Sequence, residues 1–102
     1  MFTLVETNVF TKWFSKVESR ARTRVQARLD RLVLGNSGDA KPVGKGVMEL
    51  RIDFGPGYRV YYCRRGSELL ILLAGGDKRT QKADIAEAIA LKQTVEDMPW
   101  PK

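Results

Sequence analysis

Two stretches of the chain concentrate residue types that can handle a phosphate. Glu49, Arg51 and Asp53 alternate with Leu50, Ile52 and Phe54; beyond Gly55-Pro56-Gly57 the alternation resumes, with Arg59 and Tyr61 set against Val60 and Tyr62. A period of two places Glu49, Arg51, Asp53, Arg59 and Tyr61 on one face of a β-hairpin. An apolar strand then delivers Lys78 and Arg79 at its end. Cations converging in this way suit cleavage of a phosphodiester by an attacking 2′-hydroxyl, because extra charge develops on the phosphoryl oxygens and strand-held guanidinium groups meet it without reorganising. Arginine is apt because its planar fork bonds two oxygens at once. A proton acceptor and donor are also needed. Crowded positive charge disfavours the charged form of an amine among it, which makes Lys78 one candidate; Glu49 and Tyr61 are the others, and the sequence does not choose. The same alternation also describes a solvated strand face with ordinary charge pairs, Asp53 with Arg59 among them.

Other chemistries are excluded by what the chain lacks. There is no histidine and one cysteine, Cys63, so a disulfide framework, a Cys/His zinc site, a Cys-His nucleophile and a histidine base all drop out. No metal or cofactor is called for. Gly55-Pro56-Gly57 is a turn rather than a dinucleotide fingerprint, and Gly75-Gly76-Asp77-Lys78 lacks the spacing of a phosphate-binding loop. Cys63 reads as a small strand residue.

The elements that must position these residues follow from periodicity. Phe2 to Glu6 reads as a strand, and Thr7 or Asn8 caps a helix carrying Val9, Phe10, Trp13, Phe14 and Val17, with Trp13 and Phe14 in the core. Ser19 is placed to cap a second helix, forming a hairpin with the first. Its apolar stripe is Ala21, Val25, Leu29, Leu32 and Val33, while Arg20, Arg24, Arg28 and Arg31 fall outside the stripe, either as an ordinary solvated face or as a surface that tracks phosphates, as in RNA binding. Pro42, Gly44 and Gly46 keep the next stretch irregular. With a three-residue loop in the first β-hairpin, Asp53 faces Arg59, Arg51 faces Tyr61, Ile52 faces Val60 and Leu50 faces Tyr62. Leu69 to Ala74 is continuously apolar, as in a central strand covered on both faces, and Gly75-Gly76 closes it. A third helix starts near Thr80 and runs to about Asp97, ahead of Pro99-Trp100-Pro101, where Trp100 either docks on the fold or meets a partner.

A chain of 102 residues supports one domain, spanning 1–102. The 18 basic and 12 acidic residues leave a net charge of +6, which favours polyanionic or acidic partners. No signal peptide pattern opens the chain, and its apolar runs are far shorter than the roughly 18 residues of a membrane span, so a cytoplasmic protein without membrane contact is expected.

The run from Glu49 through Gly57-Tyr58-Arg59-Val60-Tyr61-Tyr62, followed by Leu72-Leu73-Ala74-Gly75-Gly76-Asp77-Lys78-Arg79-Thr80-Gln81, resembles the RelE/ParE superfamily of bacterial toxins, above all its HigB-like, phage-derived addiction-module killer branch. The resemblance covers almost the whole chain. It implies an α+β fold: two N-terminal helices packed on a twisted antiparallel sheet, with a C-terminal helix. It further implies the toxin of a type II toxin-antitoxin module, neutralised by a cognate helix-turn-helix antitoxin and cleaving mRNA on the ribosome. Arg59 then matches the transition-state arginine of the family's Gly-Tyr-Arg strand, Arg51 lies near a basic residue of the preceding strand, and Lys78 or Arg79 matches the basic residue after the last strand. The chain departs from the pattern at Asp84 and Ile85, where a tyrosine is expected, and in lacking the histidines of some HigB enzymes. The alternative is a ParE-like protein that inhibits DNA gyrase without catalysis.

Overall fold

Capping chemistry sets where the helices begin. In the computed structural model, which describes residues 1–96, Thr7 caps α1 (Asn8–Lys16): its hydroxyl accepts from the Phe10 amide at 3.1 Å and donates to the Leu73 carbonyl at 2.8 Å. The cap of α2 (Ser19–Val33) is Glu18, one residue earlier than expected, because its longer carboxylate reaches the amides of both Arg20 and Ala21. Asp97 and the Pro99-Trp100-Pro101 segment lie outside the described residues.

Five strands make one sheet: β1 (Thr3–Glu6), β2 (Ala40–Gly44), β3 (Val47–Ile52), β4 (Tyr58–Arg65) and β5 (Leu69–Asp77), in the order β1-β5-β4-β3-β2. The fold is α+β, but the sheet is mixed, since β1 pairs parallel to β5 while the other neighbours are antiparallel. The stretch expected to be irregular is β2, an edge strand in which Pro42 is tolerated and the register shifts between Pro42 and Gly44. As expected, β5 is an interior strand covered on both faces; it lies between β1 and β4, with β4 in the middle of the sheet. Apolar residues on one sheet face join α1 and α2 in a core built on Phe10, Val25, Leu29, Leu50, Val60 and Leu72. The opposite face is covered by α3 (Gln81–Glu96) through Ile85, Ala88, Ile89 and Val95, which meet Val47, Tyr61, Cys63, Ile71 and Leu73. Among the described residues, no helix is long and apolar enough to cross a membrane.

The β3-β4 register differs from expectation by two residues: Arg51 stands opposite Arg59, Glu49 opposite Tyr61 and Leu50 opposite Val60. The connection therefore runs from Asp53 to Gly57, closed by a bond from the Gly57 amide to the Phe54 carbonyl, with Gly55 (φ 58°) and Gly57 (φ 82°) in left-handed conformations. A displacement of two keeps every side chain on its own face, so hydrophobic alternation could not detect it.

Near its end β5 bends the rules of a simple strand. Tyr61 pairs with Ala74 but Tyr62 with Leu72, so Leu73 is an extra bulged residue, and Leu73 and Ala74 both serve the α3-side core. Gly75 and Gly76 lie inside β5 instead of ending it. Both are needed for close approach: a Cβ on Gly75 would stand 2.2 Å from the Trp13 ring, and one on Gly76 would stand 1.8 Å from Asp84 Oδ2 on the other face. Gly75→Ala is therefore expected to destabilise the protein by about 1–3 kcal/mol through overpacking. Urea unfolding monitored by Trp fluorescence checks this, and an unchanged midpoint would count against the Trp13 contact.

Candidate functional site

Pairing across the sheet aligns Arg51 of β3, Arg59 of β4 and Gly76 of β5 in one row, while the Asp39 carbonyl accepts the Arg51 amide at the β2 side of that row. The two arginines of this row form the floor of a cleft of about 360 Å³, which Asp39, Asp53 and Lys78 also line. The turn Lys78–Thr80 follows β5 directly, capped by Asp77, and a Cβ on Gly57 would lie 3.7 Å from that of Lys78. The hairpin turn and the end of β5 thus bring Lys78 beside the two arginines. Of the residues singled out in the sequence, Arg51, Arg59 and Lys78 are brought together.

The next row inward is Glu49 and Tyr61, and α3 covers it. Glu49 is fully buried. Its Oε1 accepts from Arg51 Nε at 3.2 Å; its Oε2 accepts from the Tyr61 hydroxyl at 3.0 Å and from Gln81 Nε2, the first residue of α3, at 2.8 Å. Arg59 Nε lies 4.0 Å from the same Oε2. Burial pushes the Glu49 carboxyl up, but the bonds from Gln81, Tyr61 and Arg51 and the charge of Arg59 outweigh it and hold the group below its ordinary value. Tyr61 is pushed well above the usual phenol range by its burial and by the Glu49 charge. The solvated polar face that the alternation also allowed is thus half closed. Glu49 and Tyr61 lie behind the cleft floor, and neither lines the cleft.

The remaining expected residues divide. Arg79 turns back on Asp77, with Nη2 2.8 Å from Oδ2; the pairing lowers the Asp77 carboxyl and raises the Arg79 guanidinium, and Arg79 is absent from the cleft wall. Asp53 lies on the cleft wall past the end of β3, not in a pair with Arg59. On α2, Arg20, Arg24 and Arg31 are exposed, and Arg24 sits over the Phe54 ring at 4.9 Å. Arg28 is different: its guanidinium donates to the carbonyls of Arg51 and Ser37, tying α2 to the cleft floor. Two of its five N–H donors are thus committed to backbone, and Arg28 is less exposed than Arg20, Arg24 and Arg31.

Gln81, Asp39 and the tying role of Arg28 were not foreseen. Gln81 closes the quoted run after Thr80, yet nothing in a single sequence indicates that its amide reaches a residue on β3. Among the described residues no three His, Cys, Asp or Glu side chains gather where a metal could be held.

Residues 12–95 match the family model described as phage derived protein Gp49-like (DUF891). A protein of Haemophilus influenzae described as uncharacterized is 50% identical over 88 residues, covering 85% of this chain and 89% of its own. Among solved structures, a mutant of the Escherichia coli toxin RelE in the free state has a TM-score of 0.72 at 16% identity, covering 87% of this chain and 95% of that one. RelE in the intact E. coli RelBE toxin-antitoxin complex gives a TM-score of 0.66 at 16% identity, over 76% and 96% of the two chains. At such identities the likeness is one of fold.

The buried carboxylate has a thermodynamic signature. A group whose folded value is depressed contributes stability that is fully present above its ordinary value of 4.5 and is lost as pH falls below it. Glu49→Gln is expected to cost about 1–3 kcal/mol at pH 7, the penalty of leaving buried donors poorly satisfied. It is also expected to flatten the acid limb of stability relative to wild type. Denaturant unfolding from pH 7 to pH 3 measures both, and parallel acid limbs would show that Glu49 is not held ionised.

Proposed function

The chain belongs to the family of phage-derived Gp49-like proteins, and from that premise we propose that it is the toxin of a type II toxin-antitoxin module, acting as a ribosome-dependent endoribonuclease on mRNA. The observation that carries this reading is the cleft in which Arg51, Arg59 and Lys78 share one wall, with the two arginines backed by a buried carboxylate. Such cations are placed for a single phosphate. As the 2′-hydroxyl attacks, negative charge grows on the phosphoryl oxygens, and guanidinium groups already fixed by Glu49 stabilise that charge without moving. Glu49 and Tyr61 are committed to each other, so the hydroxyl proton passes to a group on the cleft wall, where Asp39, Asp53 and Lys78 are the remaining titratable side chains, and as the P–O5′ bond breaks the leaving 5′-oxygen takes up a proton, leaving a 2′,3′-cyclic phosphate and a 5′-hydroxyl. Arg79, paired with Asp77, serves at the periphery.

The exposed Arg20, Arg24 and Arg31 of α2 give the protein a surface for ribosomal RNA, whose phosphates reward each added cation. The RelE relative was solved with its antitoxin, and a net charge of +6 on this chain favours rapid capture by an acidic surface of a cognate helix-turn-helix antitoxin. The site of action is the cytoplasm, where translating ribosomes are found.

Arg59→Ala leaves Glu49 its three hydrogen bonds and is expected to keep the fold while lowering mRNA cleavage on translating ribosomes by roughly 10²- to 10³-fold, the loss usual for one transition-state donor. Primer extension on mRNA from a translation extract reads the cleavage. Supercoiling by DNA gyrase is expected to be unaffected by the wild-type protein; inhibited supercoiling without new mRNA ends would overturn the reading in favour of a gyrase inhibitor.

A further inference from the structure

Arg59 presents an unresolved account of hydrogen bonds. Its Nε is buried and has no hydrogen-bond partner among the described residues, although a carboxylate oxygen lies 4.0 Å away. A buried donor beside an ionised acceptor ordinarily closes that gap, because an unmade bond to a charged group is costly. The gap stays open because Glu49 Oε2 is already occupied, by the Tyr61 hydroxyl at 3.0 Å and by Gln81 Nε2 at 2.8 Å.

We propose that Gln81 is a positioning residue that keeps Arg59 from collapsing onto Glu49. By filling the acceptor site that Arg59 would otherwise take, it leaves the guanidinium drawn by the carboxylate's charge but not consumed by a hydrogen bond to it, and so available at the cleft wall for a phosphate. The side-chain type fits this task. An amide donates a hydrogen bond yet carries no charge, so it leaves the pull of Glu49 on Arg59 intact; a lysine there would cancel that pull and a carboxylate would repel Glu49. The placement is also fixed. Gln81 opens α3 directly after the capped turn that carries Lys78, and Asp84, one turn further on, seats against Gly76, where a Cβ would stand 1.8 Å from its Oδ2. The assignment rests on the endoribonuclease reading for its consequence, though not for its geometry.

The test uses the full chain with Gln81→Leu, a near-isosteric change at a half-buried position, and Gln81→Ala as a second variant should the first perturb packing. Two measurements are made on each: mRNA cleavage by translating ribosomes, and the ¹⁵N-¹H resonance of Arg59 Nε, assigned by its loss in Arg59→Ala. The expected result is a fall in kcat of roughly 10- to 100-fold, the scale on which a misplaced group far from the bond being broken is felt. KM for ribosomes should stay nearly constant, because the α2 surface is untouched. The Arg59 Nε–H signal should move downfield and exchange more slowly, as it acquires the bond to Glu49. Wild-type cleavage by the Leu variant, or an Arg59 resonance that does not move in either variant, would overturn the assignment. If the wild-type protein itself cuts no mRNA, the endoribonuclease reading falls, and the resonance alone decides whether Gln81 holds Arg59 off Glu49.

Discussion

A buried, ionised Glu49 is the constraint around which the candidate site is arranged. Removing a carboxylate from water is expensive, and in the interior it is tolerated only with several donors and a nearby positive charge. Glu49 has Arg51, Tyr61 and Gln81 as donors, drawn from β3, β4 and α3, with Arg59 standing off at 4.0 Å. A pair of unit charges at that separation interacts by about 4 kcal/mol at an effective dielectric of about 20, against about 1 kcal/mol in bulk water. The covering helix therefore does two things at once: it shields the carboxylate and strengthens its hold on the arginines. Arg59 keeps only 11% of its side chain exposed and Arg51 35%, so both remain at the cleft while anchored from beneath.

That arrangement depends on α3 lying close to the sheet, and β5 is built to allow it. The bulge at Leu73 turns two consecutive apolar side chains toward α3, and the bare backbone of Gly76 admits Asp84 on the same face. On the opposite face the Trp13 ring fills the space left by Gly75. Thr7 ties the junction of β1 and α1 to this region, its amide donating to the Leu72 carbonyl and its hydroxyl to that of Leu73. The geometry of the cleft is thus fixed by packing on both sides of one strand, with Arg28 of α2 tying down the carbonyl of Arg51 from the other side.

Much of this was legible in the sequence, for reasons that also mark where legibility ends. Period-two alternation put Arg51 and Arg59 on one face, and the apolar run after Arg65 ended beside them at Lys78. Register was not legible, because a shift of two residues preserves the alternation that would expose a shift of one. Nor was the burial of Glu49 and Tyr61: a polar strand face reads the same whether water or a helix covers it. The covering helix gave little warning, since Ala88 and Val95 are its only fully buried residues among those described and its exposed side chains include several alanines. Strand β2 was hidden by Pro42 and two glycines, residues that disfavour a central strand but suit an edge. Arg28 looked like its exposed neighbours because helical spacing cannot show that Gly38 leaves room for a guanidinium against the loop.

Whether Glu49 is ionised beneath the two arginines is the question on which this account turns. Its side-chain carboxyl ¹³C shift, followed by NMR as pH is lowered, measures this directly. A titration midpoint below the ordinary 4.5 is expected. A midpoint at or above that value in the wild-type protein would mean that burial outweighs the donors around the group, and that a neutral Glu49 does not hold the arginines in place.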